Sequence, residues 1–137
     1  MYEINIDDLN KAISENVSIA IAEDVAGGDI SAALIPSESL ARAEIITRQE
    51  MVLAGKAWAE EVFRQIDAEV EMKWHFNDGD YIEANELIVE MQGSARSLLT
   101  GERSALNFIQ LLSAVATKTR YFVDMVDNSE LEIIDTR

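Results

Sequence analysis

The chain has 137 residues, of which 48% are hydrophobic, enough for one globular core that buries about two thirds of the unfolded surface. Its net charge of −15 argues against a nucleic-acid or anionic-membrane surface, and no apolar run approaches the ~20 residues of a membrane span. Zero cysteines exclude disulfides and thiolate metal sites, and the acidic N-terminus lacks the features of a signal peptide, so we expect a cytoplasmic protein.

The first two thirds of the chain alternate between helical and strand patterns. Apolar residues at helical spacing predict a helix from Asp7 to Val25, which the paired glycines of AGGD end. A second amphipathic helix is predicted over KAWAEEVFRQI, residues 56–66. Alternating apolar residues and turn residues predict strands in RAEIITR, MVLAG and VEMKWHF, and two more in YIEANELIVEMQG.

A long helical pattern follows Gly93 and continues to about Val126, with Thr100–Gly101 as a point where the helix restarts. A polar row runs along it, formed by Arg103, Asn107, Gln110, Ser113, Thr117 and Arg120. The stretch from residue 92 to 123 carries a charge of +3, whereas the rest of the chain carries −18. If the protein binds an anion, this stretch is the expected place.

Arg103 is the candidate anion ligand in that stretch. A helix that starts near Thr100 places Arg103 in or just after its first turn, where the helix dipole disfavours a cation by a few tenths of a kcal/mol. Free backbone amides and a guanidinium fork at such a terminus favour a carboxylate or phosphate site. The alternative is an ion pair with Glu102 or a neighbour, and the residues alone favour neither interpretation.

The last predicted element is a strand over LEIIDTR, residues 131–137, which follows the DNSE turn. Chemistry in α/β barrels collects at the carboxyl ends of strands, where Thr136 offers a hydroxyl and Arg137 a planar fork. The alternative is an ordinary charged loop. Taken by themselves, the three residues of DTR favour this alternative.

These segments together resemble a known family. LLTGERSALNFIQLLSAVATKTRYFV followed by IIDTR is similar to the central signature of the quinolinate phosphoribosyltransferases, the carboxylating nicotinate-nucleotide pyrophosphorylases. EDVAGGDIS, AEIITRQEMVLAGKAWAEEVF and WHFNDGDYIEANELIVEMQG resemble earlier segments of that family in the same order. The resemblance covers nearly the whole chain.

The resemblance implies an α+β fold in two parts. Residues 1–110 would form an N-terminal α/β sandwich, with a flattened, β-barrel-like sheet and helices. Residues 111–137 would form the first helix and strand of a truncated catalytic α/β barrel.

The resemblance also implies an activity and its site residues. Family members join quinolinate to phosphoribosyl pyrophosphate with Mg²⁺, giving nicotinate mononucleotide, pyrophosphate and CO₂ for NAD synthesis. They form homodimers or higher oligomers. Arg103 would reach into the neighbouring subunit to hold a carboxylate of quinolinate, and Thr136 and Arg137 would bind substrate in the chain's own barrel.

The chain lacks the lysine that follows DTR in the family and the later barrel residues, which would bind most of the Mg²⁺. We therefore expect an N-terminal piece with substrate-binding residues, without catalytic residues or metal ligands of its own, and inactive alone. Two alternatives stay open: a related phosphoribosyltransferase that acts on another heterocyclic acid, and a non-catalytic acidic interaction module.

Overall fold

The computed structural model describes residues 5–25, 30–126 and 133–134. Its helices are α1 (Ile6–Val25), α2 (Ile30–Ala33), α3 (Lys56–Ile66) and α4 (Ala95–Val126). Its strands are β1 (Leu40–Ile46), β2 (Met51–Val52), β3 (Glu71–Trp74), β4 (Tyr81–Ile82) and β5 (Leu87–Ser94). The predicted α+β class is confirmed, and each helix and strand predicted before Val126 is present. None of the helices in these ranges is both long and apolar enough to cross a membrane.

The strands form two separate antiparallel groups. A three-stranded sheet has the order β1-β5-β3, and β2 pairs with β4 in a two-stranded ribbon. The two strands of YIEANELIVEMQG are therefore not partners of each other, because β4 joins the ribbon and β5 lies in the centre of the sheet. The described strands do not close into a barrel-like sheet.

The hydrophobic core lies between the helices and one face of the sheet. Along β1, Ala41, Ala43 and Ile45 point to the helices, whereas Arg42 and Glu44 are exposed, which is the alternation expected of a half-buried strand. Helix α4 contacts the sheet, the ribbon and the other helices. The largest fully buried side chains come from α1, α3, β4, β5 and the residue after β2: Val17, Leu53, Val62, Phe63, Ile82, Ile88 and Val89.

Gly101 allows α3 and α4 to approach closely. It is buried, and a Cβ built at this position would lie 2.5 Å from Cε1 of Phe63, whose side chain is 2% exposed. The ring of Phe63 therefore occupies the space that any side chain at position 101 would need. Because the helix continues through Gly101, this residue serves packing and does not mark a break in α4.

Two hydroxyl groups of α4 hold the β2 segment. The buried hydroxyl of Ser113 accepts a hydrogen bond from the Ala54 amide at 3.0 Å and donates one to the Ala54 carbonyl at 3.1 Å. The Thr117 hydroxyl accepts from the Val52 amide at 2.9 Å. These two members of the predicted polar row satisfy backbone groups of a short strand, and so they are structural.

Glu61 joins α3 to α1. Its carboxylate accepts two hydrogen bonds from Arg64, at 2.5 and 2.6 Å, and one at 2.7 Å from Gln65, whose amide also donates to the Ser14 carbonyl at 3.0 Å. The hydrogen bonds from Arg64, the largest effect, together with that from Gln65 lower the pKa of Glu61 from 4.5 to about 2, against the opposing effect of burial. The folded protein therefore favours the ionised carboxylate.

This shift predicts a specific loss of stability in acid. A carboxyl group with a lowered folded-state pKa stabilises the fold above its unfolded pKa, and that contribution is lost as the pH falls from 4.5 towards 2. We expect Glu61→Gln to be less stable than wild type near neutral pH, with a difference that shrinks over this pH range. Urea unfolding at a series of pH values measures it. Glu60→Gln, on the same helix and exposed, is the control, and an equal trend in both variants would contradict the assignment.

Candidate functional site

The position of Arg103 differs from the sequence-based prediction. Helix α4 begins at Ala95 and continues to Val126, so the restart at Thr100–Gly101 is wrong. Arg103 lies eight residues after Ala95, about 12 Å along the axis and in the third turn. The amides of residues near Arg103 are used within the helix, and therefore the predicted anion site at a helix N-terminus is wrong as well.

The side chain of Arg103 nevertheless remains accessible. It is 77% exposed, and its Nη1 atom donates to Oδ1 of Asp24 at 2.9 Å. The alternative of an ion pair with a neighbour is thus correct, with Asp24 as the partner instead of Glu102. Asp24 lies in the last turn of α1, where the helix dipole disfavours a carboxylate, and the arginine offsets that cost. The pair links the last turn of α1 to the third turn of α4, across 79 residues of sequence.

The stability that this ion pair provides does not explain why position 103 holds an arginine. Exposed pairs contribute about 1 kcal/mol or less, and a lysine would supply the same charge. The bond to Asp24 uses one donor of Nη1, which leaves the other edge of the guanidinium fork to solvent. Arg103 is therefore a planar, partly oriented cation on the surface, suited to a carboxylate brought by another molecule.

The four bases of the positive stretch do not form one site. Arg96 is half-buried and donates to the Ile35 carbonyl at 2.6 Å. Arg120 pairs with Asp124 of its own helix at 2.9 Å, and the ammonium of Lys118 lies over the ring of Tyr121, 4.9 Å from its centroid. These bases are spread along α4. Arg103 is the only one of them that pairs with an acidic residue of another described element.

Thr136 and Arg137 lie outside the described residues, and so does most of the predicted final strand. Ile133 and Ile134 are described, and both are exposed and not part of a strand. Where Thr136 and Arg137 lie relative to Arg103 is therefore outside what the structure describes. The substrate-binding roles of these residues stay predictions. So does the domain boundary after residue 110, which falls within the continuous helix α4.

Metal ligands do not cluster in the described ranges. No group of three or more histidine, cysteine, aspartate or glutamate side chains there is placed to hold a metal ion. His75, the only histidine of the chain, contacts Oε1 of Glu90 at 2.7 Å, and Lys73 reaches the same oxygen at 3.3 Å. The donor set of these residues does not fit Mg²⁺, which prefers several oxygen ligands in octahedral geometry.

Asp24 is the one contributor to this site that sequence reasoning missed. It belongs to the EDVAGGDIS segment, which the resemblance included without assigning it a role. The only available signal was an acidic residue in the last turn of a helix, where it is unfavourable without a cationic partner. That signal does not say which cation provides the compensation.

Comparison with known proteins gives a consistent result. Residues 29–113 match the family described as quinolinate phosphoribosyl transferase, N-terminal domain. A probable nicotinate-nucleotide pyrophosphorylase [carboxylating] from Bacillus subtilis is 41% identical over 115 residues, which are 84% of this chain and 40% of the relative. The chain thus spans less than half the length of this curated relative.

Solved structures show the same fold. The nicotinate-nucleotide pyrophosphorylase from Francisella tularensis superposes with a TM-score of 0.90 at 38% identity, covering 98% of this chain and 47% of that one. NadC from Streptococcus pyogenes gives 0.88 at 34% identity, covering 100% and 48%. The family match over residues 29–113 covers more than half of the chain, and Arg103 lies within it. This chain therefore belongs to the quinolinate phosphoribosyl transferase family, whose N-terminal domain it carries.

Proposed function

We propose that this chain acts as the N-terminal part of an enzyme that converts quinolinate and phosphoribosyl pyrophosphate to nicotinate mononucleotide, pyrophosphate and CO₂, in de novo NAD biosynthesis in the cytoplasm. The names of the relatives, which are carboxylating nicotinate-nucleotide pyrophosphorylases, support the reaction. The observation that carries the proposal is Arg103, an exposed guanidinium fork anchored on one side by Asp24.

The chemistry of quinolinate suits this arginine. Quinolinate is a dianion with two planar carboxylates, and a guanidinium fork binds such a group with two parallel hydrogen bonds. Asp24 restrains Arg103 without covering it, since 77% of the arginine side chain stays exposed. A restrained side chain loses less conformational entropy when it binds substrate.

Arg103 would act on a neighbouring subunit. Its side chain projects from the surface. The other bases of α4 lie at other positions along the helix, and Arg96 and Arg120 are bound to partners there. A site that needs several cations is therefore incomplete around Arg103 in one chain. In a homodimer or higher oligomer, Arg103 of one subunit would hold a quinolinate carboxylate in the site of the next, where Thr136 and Arg137 belong to the chain that supplies the barrel.

Fixed cations help both parts of this reaction. Pyrophosphate leaves with high negative charge, and decarboxylation leaves electrons on a pyridine ring whose nitrogen has become quaternary. Mg²⁺ would enter with phosphoribosyl pyrophosphate and be held by residues beyond the described part. Arg103 contributes binding and orientation of quinolinate, and no proton transfer is assigned to it.

A chimera tests the proposal. Residues 1–137 of this chain are joined to the remaining sequence of the Bacillus subtilis relative, and nicotinate mononucleotide formation is measured. We expect the chimera to be active and the 137-residue chain alone to be inactive, because that chain covers 40% of the matched enzyme. A folded chimera without activity, or product formed by the isolated chain, would contradict the proposal.

A further inference from the structure

A groove lies between α4 and the segment that joins β1 to β2. Its volume is about 630 Å³, within the range of cavities that bind small molecules. The α4 residues that line it extend from Leu106 to Tyr121, about 22 Å along the helix axis. The other wall consists of the end of β1, residues 47–50, Met51 and Ile88. Arg103 does not line this groove, which is therefore separate from the candidate site.

The floor of the groove is apolar. Ile88 and Ile109, which line it, are 2% and 3% exposed, and they belong to the hydrophobic core. Ile45 and Met51, also in the lining, are half-buried against that core. An apolar surface gains free energy by leaving water for such a floor, whereas a charged surface loses its hydration there. The body of a ligand in this groove is therefore expected to be apolar.

The serine and threonine hydroxyl groups that line the groove each already use their only proton. Ser113 donates to the Ala54 carbonyl at 3.1 Å, and Thr117 donates to the Ser113 carbonyl at 2.7 Å. Thr47 donates to the Gln49 carbonyl. Because a hydroxyl group has one donor, none of these side chains has a proton left for an anion. The negative charge of a ligand must therefore be bound at the rim.

Two cations lie at the rim. Arg48 and Lys118 line the groove with exposed side chains, and neither makes an ion pair within residues 5–25, 30–126 and 133–134. The ammonium of Lys118 lies over the ring of Tyr121 instead. Glu50, the one acid among the described lining residues, accepts a hydrogen bond from the Tyr81 hydroxyl at 2.7 Å. In a chain with 26 acidic and 11 basic residues, two such bases on one groove indicate an anion.

The fold brings these two bases towards the same part of the groove. The Val52 amide donates to the Thr117 hydroxyl at 2.9 Å, and Lys118 follows Thr117 in α4. Arg48 lies four residues before Val52, at most about 14 Å away along an extended chain. The long side chains of arginine and lysine span that separation when both bind one carboxylate.

We propose that this groove binds a small amphipathic carboxylate, a molecule with an elongated apolar body and one charged end. The body lies along the floor beside α4, and the carboxylate binds Arg48 and Lys118. The guanidinium of Arg48 supplies paired donors, and the ammonium of Lys118 supplies a point charge. A medium-chain fatty acid has this chemistry. The site does not depend on the proposed reaction, since Arg103 lies outside its lining.

Titration calorimetry of the 137-residue chain with octanoate tests the proposal. We expect saturable binding of octanoate, and binding at least 10-fold weaker for acetate, which lacks the apolar body, and for 1-octanol, which lacks the charge. Arg48→Gln and Lys118→Gln should each raise the dissociation constant by about 10-fold, since each removes a charged hydrogen-bond donor.

The matched control for these changes is Arg42→Gln. Arg42 is exposed and makes no ion pair in the described part of the chain, but it does not line this groove. Its variant should bind octanoate like wild type. A wild-type chain without saturable binding, 1-octanol that binds as tightly as octanoate, or equal losses in the three variants would overturn the proposal.

Filling the groove gives an independent measurement. Ala114 is exposed and lines the groove, whereas the next residue, Val115, is 60% exposed and does not line it. Ala114→Trp should abolish octanoate binding, and Val115→Trp should leave it unchanged. Because both positions are exposed, both variants should keep the wild-type circular dichroism spectrum. Equal losses in the two variants would show that octanoate binds the exposed apolar face of α4 and not the groove.

Discussion

Arg103→Ala in the chimera is expected to lower kcat/KM for quinolinate by ~100- to 1,000-fold, because it removes two charge-assisted hydrogen bonds to a carboxylate. The KM for phosphoribosyl pyrophosphate should change little. The kcat/KM of Arg103→Lys for quinolinate should lie between the values of wild type and Arg103→Ala, since lysine keeps the charge and loses the fork. Steady-state kinetics with each substrate varied in turn measures the effect.

The matched control for this change is Arg120→Ala. Arg120 lies on the same helix, is exposed to a similar extent and makes an ion pair of the same length, 2.9 Å, with Asp124. Both variants should unfold within about 1 kcal/mol of wild type, because both lose an exposed pair. Equal kinetic losses in the two variants, or a normal KM for quinolinate in Arg103→Ala, would contradict the assignment of Arg103.

Gly101→Val is expected to lower the free energy of unfolding by about 3 kcal/mol, because the new side chain overlaps the ring of Phe63. Gly101→Ala is the more discriminating variant. Helix propensity alone predicts that alanine stabilises α4 by about 1 kcal/mol. We expect a net destabilisation instead, since the new Cβ would lie 2.5 Å from Cε1 of a buried ring that cannot move away freely.

A compensating change distinguishes packing from propensity. Phe63→Leu removes ring atoms next to position 101, so part of the cost of Gly101→Ala should disappear in the Phe63→Leu background. Urea unfolding of the four members of this cycle gives the coupling free energy. A Gly101→Ala variant that is more stable than wild type, with no coupling to Phe63, would show that the close approach of α3 and α4 is not tight.

Local sequence patterns predicted most of the fold because its elements have regular periodicity. The apolar spacing of KAWAEEVFRQI predicts a helix over residues 56–66, and α3 has these bounds. Alternating apolar residues and turn residues likewise predict the strands. They do not predict how the strands pair, because the partner of β4 is β2, some thirty residues earlier in the chain.

The incorrect predictions all involve contacts between distant segments. Thr100–Gly101 resembles a helix start locally, but Phe63 packs against Gly101 and α4 continues. The helical spacing predicts a polar row that contains Ser113 and Arg103, yet Ser113 is buried against Ala54, 59 residues away in sequence. Helical periodicity gives the face of a residue and does not say what covers that face.

For the site, the substrate-binding role of Arg103 stays a prediction, and the surroundings predicted for it differ from those in the structure. The predicted position of Arg103 at a helix N-terminus is wrong, and in the structure Arg103 differs from the other bases of α4 in its exposure and its pairing with Asp24. Asp24 lies 79 residues earlier in the chain, and no local pattern connects the two. The proposed role of Arg103 in a second subunit rests on this exposure and on the family.

Subunit complementation in the chimera tests that central claim most directly. Arg103→Ala and Arg137→Ala are made in separate chains, which should each be inactive, and the two are co-expressed. If Arg103 acts in the neighbouring site, each mixed dimer regains one intact site, and total activity returns to about a quarter of wild type at random pairing. Purified mixed dimers as inactive as either parent would show that Arg103 acts within its own subunit or not at all.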